Sequence, residues 1–297
     1  MRLRFLLLAL LGLASAAAAP IPAAVIADPP PDKEHPARFL PFALHSQGDV
    51  VNAVLYMPGG AGPNPTVILL HGLPGVENNV DLAQAIRRAG WNAMIFHYSG
   101  SWGSAGHFTF SHCVADGEAA VAWLRDPKTA ADIPVDPRRI VIMGHSLGGW
   151  VAGYVGARDR GLMGVGLISA ADFGDDITKV KRADAIESLR GNVLLDDGMR
   201  VLGDATPESV ADDFLSHKGD WQLLHYIPGL AAHPLLVVTA NDGERPFDDR
   251  IAAAVGGAKG APVTTAHFDT NHGYNDHRIA LAGAVVAWLQ GLPDAPR

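Results

Sequence analysis

Ile140-Val141-Ile142-Met143-Gly144-His145-Ser146-Leu147-Gly148-Gly149-Trp150 is the stretch around which the rest of the chain organises itself. The apolar run Ile140 to Met143 is short and stops at glycine, which suits a strand buried on both faces. Trp150, Val151, Tyr154 and Val155 then repeat at helical spacing, so a helix is expected over Leu147 to Ala157. Between the two lies G-x-S-x-G. A serine on so tight a strand-to-helix turn holds its hydroxyl out in a strained conformation, and Gly144 and Gly148 lack the Cβ atoms that would clash there. The helix amino terminus points N–H groups at negative charge as it develops. Ser146 is therefore the candidate nucleophile. The side chain of His145 leaves the turn in another direction, and a supporting role is expected of it.

Outward from this motif the chain alternates strands and helices. Arg38 to Leu44 and Val50 to Met57 predict a hairpin turning at Ser46-Gln47-Gly48-Asp49. Strands are expected at Thr66 to Leu70, Asn92 to His97, Arg139 to Met143, Val165 to Ser169, Leu235 to Thr239 and Val263 to Phe268. Helices are expected at Asp81 to Ala89, His112 to Leu124, Phe247 to Val255 and from about Asp276 to Leu289. This α/β order implies a mainly parallel sheet with helices on both faces and chemistry at the carboxyl ends of its strands. Residues 170–233, after the sixth strand, are too many for a bare loop. Thr206-Pro207-Glu208 reads as a helix start, with Val210 and Phe214 following at helical spacing, so this insertion is expected to be a small helical cap or lid, with an ordinary insertion packed away from the site as the alternative.

Further motifs fall at strand ends. His71-Gly72-Leu73-Pro74-Gly75 follows the strand ending at Leu70; Gly72 permits close approach of backbone, and Pro74 fixes the turn beyond it. Asn241-Asp242 follows the strand Leu235 to Thr239. His272-Gly273-Tyr274 follows the last strand. A serine hydroxyl needs a base, and the base needs an orienting partner. Among thirteen histidines, His272 is favoured because it sits in a glycine-containing loop; His267 falls within a strand and His277 at a helix start. Asp242 is favoured as the acid over Asp269 and Asp276, which flank His272 in sequence and suit roles within its own loop.

These motifs together resemble the α/β-hydrolase superfamily, in particular its prolyl-oligopeptidase-like and dienelactone-hydrolase-like branch, from about Phe39 to Leu289. Tyr98-Ser99-Gly100-Ser101-Trp102-Gly103-Ser104 is similar to the loop after the fourth strand in that branch. The resemblance implies the chain order Ser146, Asp242, His272 for a catalytic triad. It implies an oxyanion hole made by the N–H groups of Leu73 and Leu147. It further implies acyl transfer to water through an acyl-enzyme, a small-molecule acyl substrate, and no metal or organic cofactor. Trp102 and Phe108, with Phe110, are candidates to line an acyl pocket. Prolyl oligopeptidases carry a large propeller ahead of this domain and the present length leaves no room for one, so an ester is expected ahead of a peptide. A peptidase is the nearest alternative, and a catalytically inactive binding protein on the same fold is an alternative of another class.

Bulk properties bound the reading. A 297-residue chain that is 48% hydrophobic buries one large core, and its charged residues form no long run of one sign. Arg2, Arg4, the apolar run Phe5 to Leu13 and the small residues Ala14 to Ala19 predict a signal peptide over 1–19, cleavage near Ala16 to Ala19, and a periplasmic or secreted product with no integral membrane span. Loss of Arg2 and Arg4 takes the formal charge from −8 to −10, a poor match for nucleic acid. Residues 20–37, rich in proline, predict an extended lead-in to a single domain over 38–297. Cys113 is the one cysteine; it forms no internal disulfide and is expected to pack in a helix. The scattered histidines offer no H-E-x-x-H pattern, and no lysine-containing phosphate loop follows the first strand.

Overall fold

The computed structural model describes residues 20–173, 179–191, 199–217 and 219–293. The expected signal segment 1–19 lies outside them, as do parts of the 170–233 insertion. Eight strands form one sheet: β1 (Arg38–Ser46), β2 (Asp49–Met57), β3 (Asn64–Leu70), β4 (Asn92–Phe96), β5 (Val135–His145), β6 (Gly164–Ile168), β7 (Leu235–Thr239) and β8 (Val263–His267). They lie in the order β1-β2-β4-β3-β5-β6-β7-β8. β1 and β2 are the antiparallel hairpin expected from sequence, β2 pairs antiparallel with β4, and every pairing from β4 to β8 is parallel.

Ten helices follow the described chain: α1 (Ala23–Ile26), α2 (Val80–Arg88), α3 (Phe110–Arg125), α4 (Pro127–Asp132), α5 (Leu147–Arg158), α6 (Arg182–Gly191), α7 (Pro207–Ser216), α8 (Ile227–Leu230), α9 (Arg245–Gly257) and α10 (Arg278–Gln290). Strand side chains alternate between two apolar cores. Ile68, Leu70, Ile140 and Ile142 face the core that also holds residues of α3, α5 and α9. Val67, Leu69, Val141 and Met143 face the core with residues of α1, α2 and α10. A strand apolar on both sides needs cover on both, which is why these segments read as unbroken apolar runs. Cys113 is wholly buried in α3, and burial pushes its thiol up, out of the reactive range.

Two elements differ from the sequence expectation. β5 begins at Val135 rather than Arg139, with a register shift between its two stretches of pairing to β3. Asp136 organises the irregular part: it accepts the Arg138 N–H at 3.0 Å and Arg139 Nε at 2.8 Å. The lead-in 20–37 is not simply extended either. Its α1 buries Val25 against α2 and α10. Arg88 donates to the carbonyls of Ala24 at 2.6 Å and Val25 at 3.1 Å, satisfying acceptors that a helix end leaves open.

The insertion after β6 supplies α6 and α7, which pack on each other, and α7 also packs on α3. Thr206 caps α7 as expected: Thr206 Oγ1 accepts the Ser209 N–H at 3.1 Å and the Thr206 N–H donates to Ser209 Oγ at 2.9 Å. Asp213 of α7 accepts both the Ser111 N–H at 3.0 Å and its hydroxyl at 2.5 Å, while Arg182 pairs with Asp212 at 2.5 and 2.8 Å. Among the described residues no helix is long and apolar enough to cross a membrane.

Candidate active site

The parallel register brings Leu70 beside Gly144, His145 beside Ile168, Val238 beside Ile168, and Thr239 beside His267. The loops that leave these strands therefore meet at one edge of the sheet, where residues far apart in sequence become neighbours.

Ser146 sits between β5 and α5 at φ 55°, ψ −121°, a backbone state that costs a non-glycine residue on the order of 1–3 kcal/mol. Its neighbours impose it. Ser146 N–H donates to Ile168 O at 2.9 Å, and Ser146 O accepts the Ala171 N–H at 3.0 Å. A Cβ on Gly144 would meet the Gly148 backbone at 2.3 Å, and one on Gly148 would meet Leu70 O at 2.4 Å. Both glycines of the motif are thus required by close backbone approach. Leu147 is the first residue of α5, so its N–H has no acceptor within the helix.

His272 and Asp242 pair as the sequence predicts. His272 Nδ1 donates to Asp242 Oδ2 at 2.9 Å, and Asp242 Oδ1 accepts the N–H groups of Glu244 at 3.1 Å and Arg245 at 3.2 Å. Burial raises the Asp242 carboxyl, but hydrogen bonds from His272 and Ser169 outweigh it and hold the group below the usual carboxylate range. It stays ionised, as the partner of an imidazole must. The rival acids are engaged elsewhere: Asn241, in the loop after β7, donates to Asp269, while Thr270 and His277, in the same loop as Asp276, both donate to Asp276. His267 is tied to Thr239 and Arg245, and His277 precedes α10.

His145 is 8% exposed and Nε2 donates to the carbonyl of His272 at 2.7 Å. Burial pulls its imidazole down to about 4, so it is neutral at physiological pH. Gly72 lies so close to this turn that a Cβ there would stand 3.0 Å from Ser146 Cβ and 3.4 Å from His145 Nδ1. The loop around it is braced by its own neighbours. His71 Nδ1 donates to Gly72 O at 2.7 Å, and Tyr98 OH to His71 O at 3.2 Å.

Ser146, His272, Asp242, Leu73 and Leu147 share one cavity of about 760 Å³, with Phe110, Phe173, Phe214 and Glu244 among its walls. Ala185, Ser188 and Leu189 of α6 and Ala211 of α7 line it too, so the helical insertion is part of the site. Trp102 and Phe108 do not line it. The Trp102 indole N–H donates to Pro74 O at 2.6 Å and its ring stacks on His97, so it buttresses the 71–75 loop from behind. Phe108 is 1% exposed in the core and meets Phe110 edge-on. Of the three aromatic candidates, Phe110 alone reaches the cavity. Phe173 and Glu244 were not singled out by sequence, and Phe214 was read only as a helix residue of the insertion; Glu244, two residues past Asp242, had the strongest available signal.

Comparison with known proteins fits this architecture. A family model described as "Protein of unknown function (DUF1749)" matches residues 34–155. An uncharacterized protein of Mycobacterium tuberculosis (strain ATCC 25618 / H37Rv) is 35% identical over 95 residues, 32% of this chain and 31% of that protein. The chain thus spans about a third of the length of the curated relatives it matches. Among solved structures, the carboxylesterase EstE1 from a metagenomic library is 22% identical, with a TM-score of 0.62 over 91% of this chain and 92% of that one. An esterase of Pyrobaculum calidifontis is 20% identical, with a TM-score of 0.60 over 86% and 87%. A thermostable carboxyl esterase of Bacillus coagulans is 13% identical, with a TM-score of 0.66 over 86% and 98%. The fold is that of the α/β-hydrolase esterases.

Proposed function

We propose that this chain is a serine hydrolase that cleaves esters of small molecules through an acyl-enzyme. The observation that carries the reading is the convergence on one cavity of a serine at positive φ and an imidazole whose Nδ1 is held by an ionised aspartate. In this mechanism Ser146 Oγ attacks the ester carbonyl while His272 Nε2 takes its proton. The carbonyl oxygen becomes an oxyanion, held by the N–H groups of Leu73 and Leu147. When the intermediate collapses, His272 gives the proton to the departing alcohol oxygen. Water then attacks the acyl-enzyme with the same proton transfers in sequence, releasing the acid and restoring Ser146. Asp242 keeps the proton on Nδ1 and stabilises the imidazolium.

The test is covalent labelling by a fluorophosphonate, together with hydrolysis of esters of graded acyl length. Wild type should label once and turn over; Ser146→Ala should fold, fail to label and lose on the order of 10⁴-fold or more in kcat. Wild-type turnover by a pure Ser146→Ala protein would end the serine-hydrolase reading.

Export is also proposed, on the strength of the Arg-led, Leu-rich, Ala-terminated start. Intact-mass analysis of protein released by a bacterial host should find a new amino terminus near Ala17 to Pro20. A soluble cytoplasmic product beginning at Met1 would overturn it.

A further inference from the structure

Among the described residues, the cavity that holds Ser146 and His272 carries acidic side chains and no basic lysine or arginine. Its described charged side chains are Asp172, Asp184, Asp242 and Glu244. Two of these carboxylates are already engaged by partners. Asp242 holds His272, and Asp172 has Arg250 at 3.6 Å.

Of the remaining two, Asp184 is exposed and Glu244 is half-buried. Its Oε2 accepts the Asp172 N–H at 2.9 Å, which fixes the carboxyl's direction, and among the described residues no arginine or lysine pairs with it. Burial pushes this carboxyl up, and the Asp172 N–H and the nearby His272 offset the lost hydration only in part. A cation brought by a ligand would supply the remainder. The same cavity offers aromatic surface: the rings of Phe110, Phe173 and Phe214 lie with centroids 4.9, 5.3 and 6.2 Å apart. A carboxylate and aromatic rings in one pocket attract an ammonium group by charge and by the negative faces of the rings.

The position of Glu244 also says which half of an ester would carry the cation. Its N–H donates to Asp242 Oδ1 at 3.1 Å, so it flanks the acid–base pair. His272 is the group that protonates the leaving oxygen, and the leaving alcohol must therefore lie on that side. Resting on the serine-hydrolase reading above, we propose that Glu244 is a specificity-determining residue that selects esters whose alcohol portion bears an ammonium group. The ammonium sits against the Glu244 carboxylate, and the apolar remainder of the substrate against Phe110, Phe173 and Phe214.

Two butyrate esters test this, one of choline and one of 3,3-dimethylbutanol, its uncharged isostere. They match in shape and differ in charge, so the ratio of their kcat/KM values isolates the contribution of the cation. Wild type should favour the choline ester about tenfold or more. Glu244→Gln, nearly identical in shape, should bring the ratio close to one, and Glu244→Lys should drive it below one. Because a ratio is read, a general loss of activity in either variant cancels. A wild-type ratio at or below one, or a preference that survives Glu244→Gln, overturns the proposal and leaves Ser146 as nucleophile untouched. Hydrolysis that persists in Ser146→Ala, or a wild type that cleaves no ester in the acyl-length series, overturns the underlying reading and this one with it.

Discussion

His145 Nε2 donates to the carbonyl oxygen of His272 at 2.7 Å, so the residue before Ser146 holds the backbone of His272. Two loops separated by more than a hundred residues are thereby set at a fixed distance. The bond requires a proton on Nε2, and the buried, neutral imidazole supplies it.

His145→Ala should therefore lower kcat by about 10- to 100-fold with little change in KM, because misplacing a base harms the chemical step more than binding. His145→Gln, which restores an N–H donor, should recover part of the loss. Steady-state kinetics with one activated ester make the comparison; equal kcat for Ala and wild type would remove the positioning role.

Asp242→Asn should fold normally and lose on the order of 10⁴-fold in kcat at neutral pH, since an amide favours the wrong imidazole tautomer and cannot stabilise imidazolium. Asp269→Asn and Asp276→Asn should lose far less, because Asp269 is bonded to Asn241 and Asp276 to Thr270 rather than to the His272 ring. Circular dichroism must show each variant folded. A crippled Asp269→Asn beside a mild Asp242→Asn would refute the assignment of the acid.

Trp102→Phe keeps a ring against His97 but removes the hydrogen bond to Pro74 O. Its kcat should fall several-fold through loosening of the 71–75 loop, roughly what one hydrogen bond of about 1 kcal/mol supplies. The fall should be the same for short and long acyl chains. A change confined to long chains would make Trp102 part of the substrate pocket after all.

Asp248 of α9 is fully buried, where Oδ2 accepts the Ala170 N–H at 3.0 Å and Oδ1 has no partner among the described residues. Burial pushes its carboxyl up to about 9. Unfolded, the group ionises near 4, so between those values the folded chain binds the extra proton. Its contribution to stability is whole below pH 4, declines as pH rises toward about 9 and is flat beyond. Asp248→Asn should remove that decline. Urea midpoints at pH 5 and pH 8 should diverge more in wild type than in the variant, and equal divergence would contradict the buried neutral acid.

How much was legible in the sequence depended on whether a role is local. The strained turn at Ser146 was readable because glycines, strand and helix adjoin it, and the meeting of Asp242 with His272 because each follows a strand end. The capping box at Thr206 is equally local. Trp102 and Phe108 misled because an aromatic residue in a loop does not announce which way it faces. That direction is set by Pro74 O for the one and by the core for the other, both remote in sequence. Glu244 was overlooked for the related reason that its burial, and the lack of a lysine or arginine beside it among the described residues, are set by elements remote in sequence. The docking of α1 depends on Arg88, more than sixty residues on.

The lacing of the nucleophile turn into β6 has a consequence for anyone wishing to transplant it. The motif looks portable, a short cassette of strand, turn and helix. Yet Ser146 takes its N–H acceptor from Ile168 and gives its carbonyl to Ala171, beyond the helix that follows. Residues 140–158 excised alone, or grafted under a different neighbouring strand, would lose both anchors, and the serine would relax to negative φ with its hydroxyl turned away. The smallest unit that can carry this turn into another protein runs from the start of β5 through Ala171.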